Sequence, residues 1–435
     1  MKEPKSVANV ASTVLGSVCL MIGIAYQTLW QSDSIVAAAL FVIACYVIPV
    51  ASCEVFVHKV HARPATGLNW ENVKPRNPGR VLVKLVGLFA ILTLVCFIHA
   101  IFRFYDPSRF TYAIVAITLL APFLLMATAY YFVEIDRRME NPEDGYYAFG
   151  SWVLRLEKSP NFDIIKSFVV GWAIKGFFLP VMFAYLALNM PGLAAKIPTV
   201  FDGPVEAVLF IVKVTVIFEL TIVVVGYSMT LRLFDAHIRS PNMLLGAWVL
   251  TLICYEPFNR MMSGRIYNFN ASRSWADVIE GYPLLMWPWL AMIIMAFLVW
   301  IWATAIFGLR WSNLTHRGVI SNGPYRYTKH PDYMSKSIFF WLTAAPFATA
   351  VSTWQAVTLC AGLLVVNAVY YGRARLEEQH LSADPEYVAY ALAMNERSIF
   401  APLARRMPFL MYRSPDARTD LDLPEAQAPV GVPAE

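Results

Sequence analysis

The sequence predicts an all-α, polytopic transmembrane bundle of about ten spans, with a cytoplasmic helical segment at its C-terminal end. Three observations carry this. Of 435 residues, 58% are hydrophobic and 15% charged; soluble domains carry about 25% charged residues and cannot bury so much apolar surface. Apolar stretches near the ~20 residues needed to cross a bilayer recur along the chain. The Lys and Arg residues between those stretches fall mostly on one side.

The candidate spans lie at 9–30, 35–57, 81–102, 111–133, 166–188, 205–231, 241–256, 283–309, 336–352 and 354–371. The seventh and ninth are short, which suits a tilted, half-inserted or hairpin segment. The opening MKEPKS precedes an apolar run longer than a signal-peptide core and shows no small-residue cleavage site, so it reads as a retained first span. An even number of spans puts both termini on one side. That side collects Lys59, Arg63, Lys74, Arg76 and Arg80, then Arg137, Arg138, Arg155 and Lys158. Arg232, Arg239, Arg310, Arg317, Arg326 and Lys329 follow. The opposite side holds Arg103, Arg109, Lys196, Arg260, Arg265 and Arg273. The bias predicts cytoplasmic termini; the membrane expected for the chain is a bacterial inner (cell) membrane.

Three regions follow: residues 1–300 as an N-terminal bundle, 301–412 as a second membrane unit, and 413–435 as a tail. The tail is Pro-, Ala- and Asp-rich and reads as disordered. Residues 257–282 form a polar, aromatic-rich loop, and 372–412 an amphipathic segment in which Asp384-Pro385-Glu386 reads as a helix start. Arg405 and Arg406 before MPFLMY suit an interfacial anchor. Six scattered cysteines without a CxxC pair predict neither a disulfide framework nor a metal site. A formal net charge of +5, thinly spread, excludes nucleic acid as a partner.

Two cytoplasmic segments concentrate chemistry. The first is Arg317 to Tyr333. After the Asn322-Gly323-Pro324 turn it crowds Tyr325, Arg326, Tyr327, Lys329, His330 and Tyr333 against the membrane surface. The second follows the last span: Arg373, Arg375, Glu377, Glu378 and His380, then Glu386, Tyr387 and Tyr390. On a helix Arg373 and Glu377, and Glu377 and His380, share a face. Each feature has a plainer reading. A His-Pro after a turn is usually a helix start, and a Glu pair beside Arg is usually a solvated face. Tyr387 and Tyr390 read as packing residues, and His316 and Arg317 equally as site residues or as positive loop charge.

Together the segments resemble the isoprenylcysteine carboxyl methyltransferase and phospholipid methyltransferase superfamily. That pattern is G-P-Y-R-[YW]-x-[RK]-H-P-x-Y, a helical hairpin, then R-x-x-E-E-x-x-L…EY-x-x-Y. Gly323 to Tyr333 carry the first part; Glu377 to Leu381 and Glu386 to Tyr390 carry the second. The resemblance covers about residues 305–400. It departs where many members have Gly soon after the motif Tyr; here Met334-Ser335-Lys336 follows, and Lys336 has no evident place.

The resemblance implies an S-adenosylmethionine-dependent methyltransferase, its aqueous cofactor entering from the cytosol and a lipid or lipid-linked acceptor from the bilayer. It puts Tyr325, Arg326, Tyr327, Lys329, His330, Tyr333, Arg375, Glu377 and Glu378 around the cofactor. The residue types suit that ligand. Carboxylates accept from ribose or amino groups, cations meet a carboxylate, and Tyr faces stack on adenine or meet the sulfonium. No general base stands out. Two other readings compete: an NADPH-dependent reductase of sterol-reductase-like architecture, and a transporter or scaffold. The second draws on Glu54, Lys175, Lys213 and Glu219, charged residues inside predicted spans, for which a structural pair such as Lys175 with Glu219 is the plainer account.

Overall fold

The computed structural model describes residues 4–30, 32–102, 107–262 and 273–414. The predicted disordered tail beyond residue 414 and the middle of the 257–282 loop lie outside the described residues. The chain opens with α1 (Val10–Leu29), α2 (Ile35–Ser52), α3 (Pro78–Phe102) and α4 (Pro107–Asp136). Short α5 (Gly145–Val153) leads to α6 (Phe162–Asn189), and α7 (Pro191–Ala194) to α8 (Pro204–Ser228). Short α9 (Leu245–Leu252), α10 (Phe258–Met262) and α11 (Trp275–Glu280) precede α12 (Pro283–Ala305). A hairpin of α13 (Pro331–Ala344), α14 (Pro346–Thr349) and α15 (Thr353–Leu381) leads to α16 (Pro385–Arg397) and α17 (Ala401–Arg406).

Eight of the described helices are long and apolar enough to cross a membrane: α1, α2, α3, α4, α6, α8, α12 and α15. The chain is an all-α integral membrane protein. The two short predicted spans are present but broken. α9 has 8 residues and α13 has 14, or about 12 and 21 Å at ~1.5 Å per residue, against a ~30 Å hydrocarbon core. α13 stops where Ala345 turns left-handed (φ 41°) ahead of Pro346, whose ring opposes helix at the preceding residue.

Side chains set the starts of the helices. Ser34, Asn161 and Ser352 accept backbone N–H groups at the starts of α2, α6 and α15. Asp384 accepts from Glu386 N at 2.8 Å and starts α16, as its Asp-Pro-Glu sequence predicts.

The main core joins α1, α2, α6 and α8 through Leu20, Tyr46, Phe178, Ile217 and Tyr227. α12 packs on α8 and α13, and α15 on α13 and α9. A buried polar seam ties these layers together. Arg310 Nη2 lies 3.2 Å from Glu54 Oε2, and Arg310 Nε donates to Asp235 O at 3.0 Å. Glu54 Oε1 also accepts from Ser12 Oγ at 2.6 Å and Asn9 Nδ2 at 2.8 Å. Arg317, 4% exposed, donates to the carbonyls of Gly226, Met229, Ala236, Leu309 and Trp311. Antiparallel pairing of Ser240–Pro241 with Thr315–His316 closes the seam. The partners of Glu54 and Arg317 in this seam offset the cost of burying their charge.

Candidate functional site

Pro331 opens α13, where its missing N–H is no loss, and leaves Lys329 and His330 at the helix mouth with Tyr333 in the first turn. α15 runs antiparallel alongside. Tyr333 meets Glu377 and Tyr370, and Phe340 meets Tyr370 farther along. Successive helical residues diverge by about 100°, so the adjacent carboxylates face different ways.

Glu378 Oε1 lies 2.6 Å from Lys329 Nζ and 3.2 Å from His330 Nε2. Its Oε2 accepts from Arg375 Nη1 at 2.6 Å, and its side chain is 5% exposed. Burial holds the Lys329 ammonium below its usual pKa, with Glu378 pulling the other way. Glu377 Oε2 instead accepts from the Tyr333 hydroxyl at 3.1 Å.

Two cavities flank this junction. The outer one, about 370 Å³, is walled by Lys329, His330, Tyr333, Tyr370, Arg375 and Glu378, and roofed by α16–α17 through Asn395, Phe400 and Leu403. Asn367 also lines it, with a buried Oδ1 that has no hydrogen-bond partner among the described residues. The inner one, about 250 Å³, is walled by Tyr325, Glu377 and Arg373, by Trp300 of α12, and by Tyr185 of α6 and Glu219 of α8. His330, Tyr333 and Tyr370 line both. Their rings form a partition: His330 stacks on Tyr333 at 5.7 Å and Tyr333 on Tyr370 at 5.6 Å between centroids.

The structure thus brings Lys329, His330, Tyr333, Arg375 and Glu378 to the outer cavity, and Tyr325 and Glu377 to the inner one. Arg326 and Tyr327 are exposed and line neither. Tyr387 and Tyr390 are buried, and the Tyr390 hydroxyl donates to Tyr325 O at 2.6 Å, which anchors the motif loop.

The pairing of Lys175 with Glu219 does not form. Lys175 donates to Thr230 Oγ1 at 3.2 Å and lies 3.6 Å from the Trp172 ring centroid. Glu219 lies 3.4 Å from Lys336, which also bonds Asp332 at 2.9 Å. The sequence reading missed Asn367, Asn395 and the Glu219–Lys336 pair. Asn367 carried a signal, as a polar residue within an apolar run.

Fold and site together define an integral membrane protein with a cavity on either side of a C-terminal helical hairpin. The model of the Isoprenylcysteine carboxyl methyltransferase (ICMT) family matches residues 284–383, a domain running from α12 to just past α15. It holds His330, Tyr333, Glu377 and Glu378, and the chain before it lies outside the match. Neither the curated proteins nor the solved structures give a match.

Proposed function

We propose that the protein transfers a methyl group from S-adenosylmethionine to a lipophilic or lipid-linked acceptor. The observation that carries the reading is the convergence of Lys329, His330 and Arg375 on Glu378 at the wall of the outer cavity, inside the family-matched segment.

The outer cavity fits the cofactor by chemistry and size. Its volume, about 370 Å³, falls within the ~300–1,000 Å³ of small-molecule clefts. Lys329 and Arg375 present cations to a carboxylate, the Asn367 Oδ1 accepts from an amino group, and Phe400 offers a ring face to a purine. When bound, S-adenosylmethionine supplies an electrophilic methyl group on a sulfonium. Glu378 orders the two cations, the α16–α17 roof excludes water, and the ring partition sets cofactor apart from acceptor. The inner cavity, reaching α6 and α8, receives the acceptor headgroup. Loop charge supports cytoplasmic termini, with the outer cavity on the cytosolic side, and the membrane in this reading is a bacterial inner membrane.

The test is calorimetric titration of S-adenosylhomocysteine into the detergent-purified protein and its His330→Ala variant, with NADPH as control. Micromolar binding of S-adenosylhomocysteine, lost in the variant, is expected. Binding of NADPH alone would overturn the reading.

A further inference from the structure

A methyl acceptor that is already a carboxylate needs no base, because it is ionised at neutral pH. The inner cavity is built for something else. Its charged lining is Glu219, Asp332 and Glu377 against Lys336 and Arg373, three carboxylates to two cations. An anionic headgroup would add a second uncompensated negative charge in a low-dielectric space. A neutral or cationic headgroup would not.

Glu219 is the distinctive member. It projects from α8, outside the family-matched 284–383. A carboxylate on a spanning helix is expensive and marks function. Its Oε1 accepts from Trp300 Nε1 at 2.8 Å and lies 3.4 Å from Lys336. Among the described residues no hydrogen bond reaches Oε2. Lys336 follows Ser335, which stands where many relatives of the resembled family carry Gly, and Asp332 steadies Lys336 from one helical turn back, at 2.9 Å. One oxygen is therefore fixed and the other left for a ligand, in the cavity that His330 and Tyr333 also wall.

We infer that Glu219 is the general base of the proposed methyl transfer, and that the acceptor is an amphiphile whose nucleophilic nitrogen or oxygen carries a proton. The acceptor lone pair forms the new bond to the methyl carbon. The sulfur–methyl bond breaks with its electron pair left on sulfur, and the acceptor proton passes to Glu219 Oε2.

The inference rests on the methyltransferase reading, and its test separates the two. Membranes containing wild type, Glu219→Gln or Glu219→Asp are incubated with methyl-tritiated S-adenosylmethionine. Lipid-extracted label is treated with mild base and divided into volatile methanol, which only methyl esters release (base-labile), and non-volatile label, which N-methyl amines and O-methyl ethers keep whether or not the lipid is deacylated (base-stable). S-adenosylhomocysteine binding to each purified variant reports the fold and the outer cavity. The expected result is base-stable label, about 100-fold lower in Glu219→Gln, partly kept in Glu219→Asp, with binding unchanged in both. Base-labile label, or full labelling by Glu219→Gln, overturns the inference. Loss of wild-type S-adenosylhomocysteine binding would instead strike the methyltransferase reading.

Discussion

The adjacent residues Glu377 and Glu378 face different cavities, so their glutamine variants should fail differently. Glu378→Gln keeps the shape but removes the charge that Lys329 and Arg375 both meet at 2.6 Å. Charge-assisted hydrogen bonds contribute about 1.5–3 kcal/mol and neutral ones about 0.5–1.5. The change therefore weakens the pair of contacts by about 2–3 kcal/mol in total and frees two cations that shape the outer cavity. If that loss appears in ligand affinity, at ~1.4 kcal/mol per decade, the Kd for S-adenosylhomocysteine rises about 30- to 100-fold. Glu377→Gln alters one hydrogen bond, from Tyr333 at 3.1 Å, on the inner side. It should leave S-adenosylhomocysteine binding within about threefold while cutting methyl transfer at least tenfold, since ~1.4 kcal/mol of lost transition-state stabilisation is one decade in rate. Calorimetry on both purified variants, with circular dichroism as the check on folding, decides. Equal losses of binding in the two, or a loss confined to Glu377→Gln, would refute the division of labour.

Two further outcomes follow from the seam. Glu54→Gln removes the nearer of two carboxylates from buried Arg310, leaving Asp235 Oδ2 at 4.0 Å, and should destabilise by about 1–3 kcal/mol, whereas Glu54→Gln combined with Arg310→Met should recover most of that; additive losses in detergent unfolding would refute the coupling. Burial pushes His316 down to about 4, against an opposing Asp384, and burial with flanking arginines pushes His237 down to about 3. Both fold as neutral imidazoles, and the unfolded chain takes up their protons first, near 6.5. Stability is therefore full above pH 6.5 and declines as pH falls from there toward 4. Melting temperatures in detergent that stay flat between pH 7 and 5 would contradict this.

The long spans were legible because a bilayer demands an unbroken apolar run, and α1 to α4, α6, α8, α12 and α15 each supply one. α9 and α13 were harder. Hydropathy continues past their ends, while the backbone stops at local features such as the left-handed Ala345 before Pro346. Within the site, the motif located His330, Tyr333 and the Glu pair. It could not show that Arg326 and Tyr327, in the same string, turn outward, because a tight 3₁₀ turn over Gly323–Arg326 sets their direction. The divergence of Glu377 and Glu378 was implicit in helical geometry. The meeting of Lys336 with Glu219 was not, since it depends on how α8, α12 and α13 pack.

That packing bears on whether the C-terminal unit stands alone. Residues 284–383 match a family by themselves, yet their buried arginines look elsewhere for partners. Arg317 takes three of its carbonyls from Gly226, Met229 and Ala236, and Arg310 takes its carboxylates from Glu54 and Asp235. Gly226 lets α8 approach the backbone at Trp311, because a Cβ there would lie 2.2 Å from Trp311 O. A fragment beginning at residue 284 would keep both guanidinium groups but lose the carboxylates of Arg310 and three of the five carbonyls of Arg317, at about 3–5 kcal/mol for the broken ion pair and about 1–3 kcal/mol for the hydrogen bonds. That approaches the whole ~5–15 kcal/mol stability of an ordinary domain. Such a fragment, expressed in membranes and purified in detergent, should bind no S-adenosylhomocysteine at concentrations that saturate the full chain, and co-expression with residues 1–283 should restore binding. Near-native affinity in the fragment alone would mean that the seam is dispensable, and that the N-terminal bundle contributes to the acceptor side only.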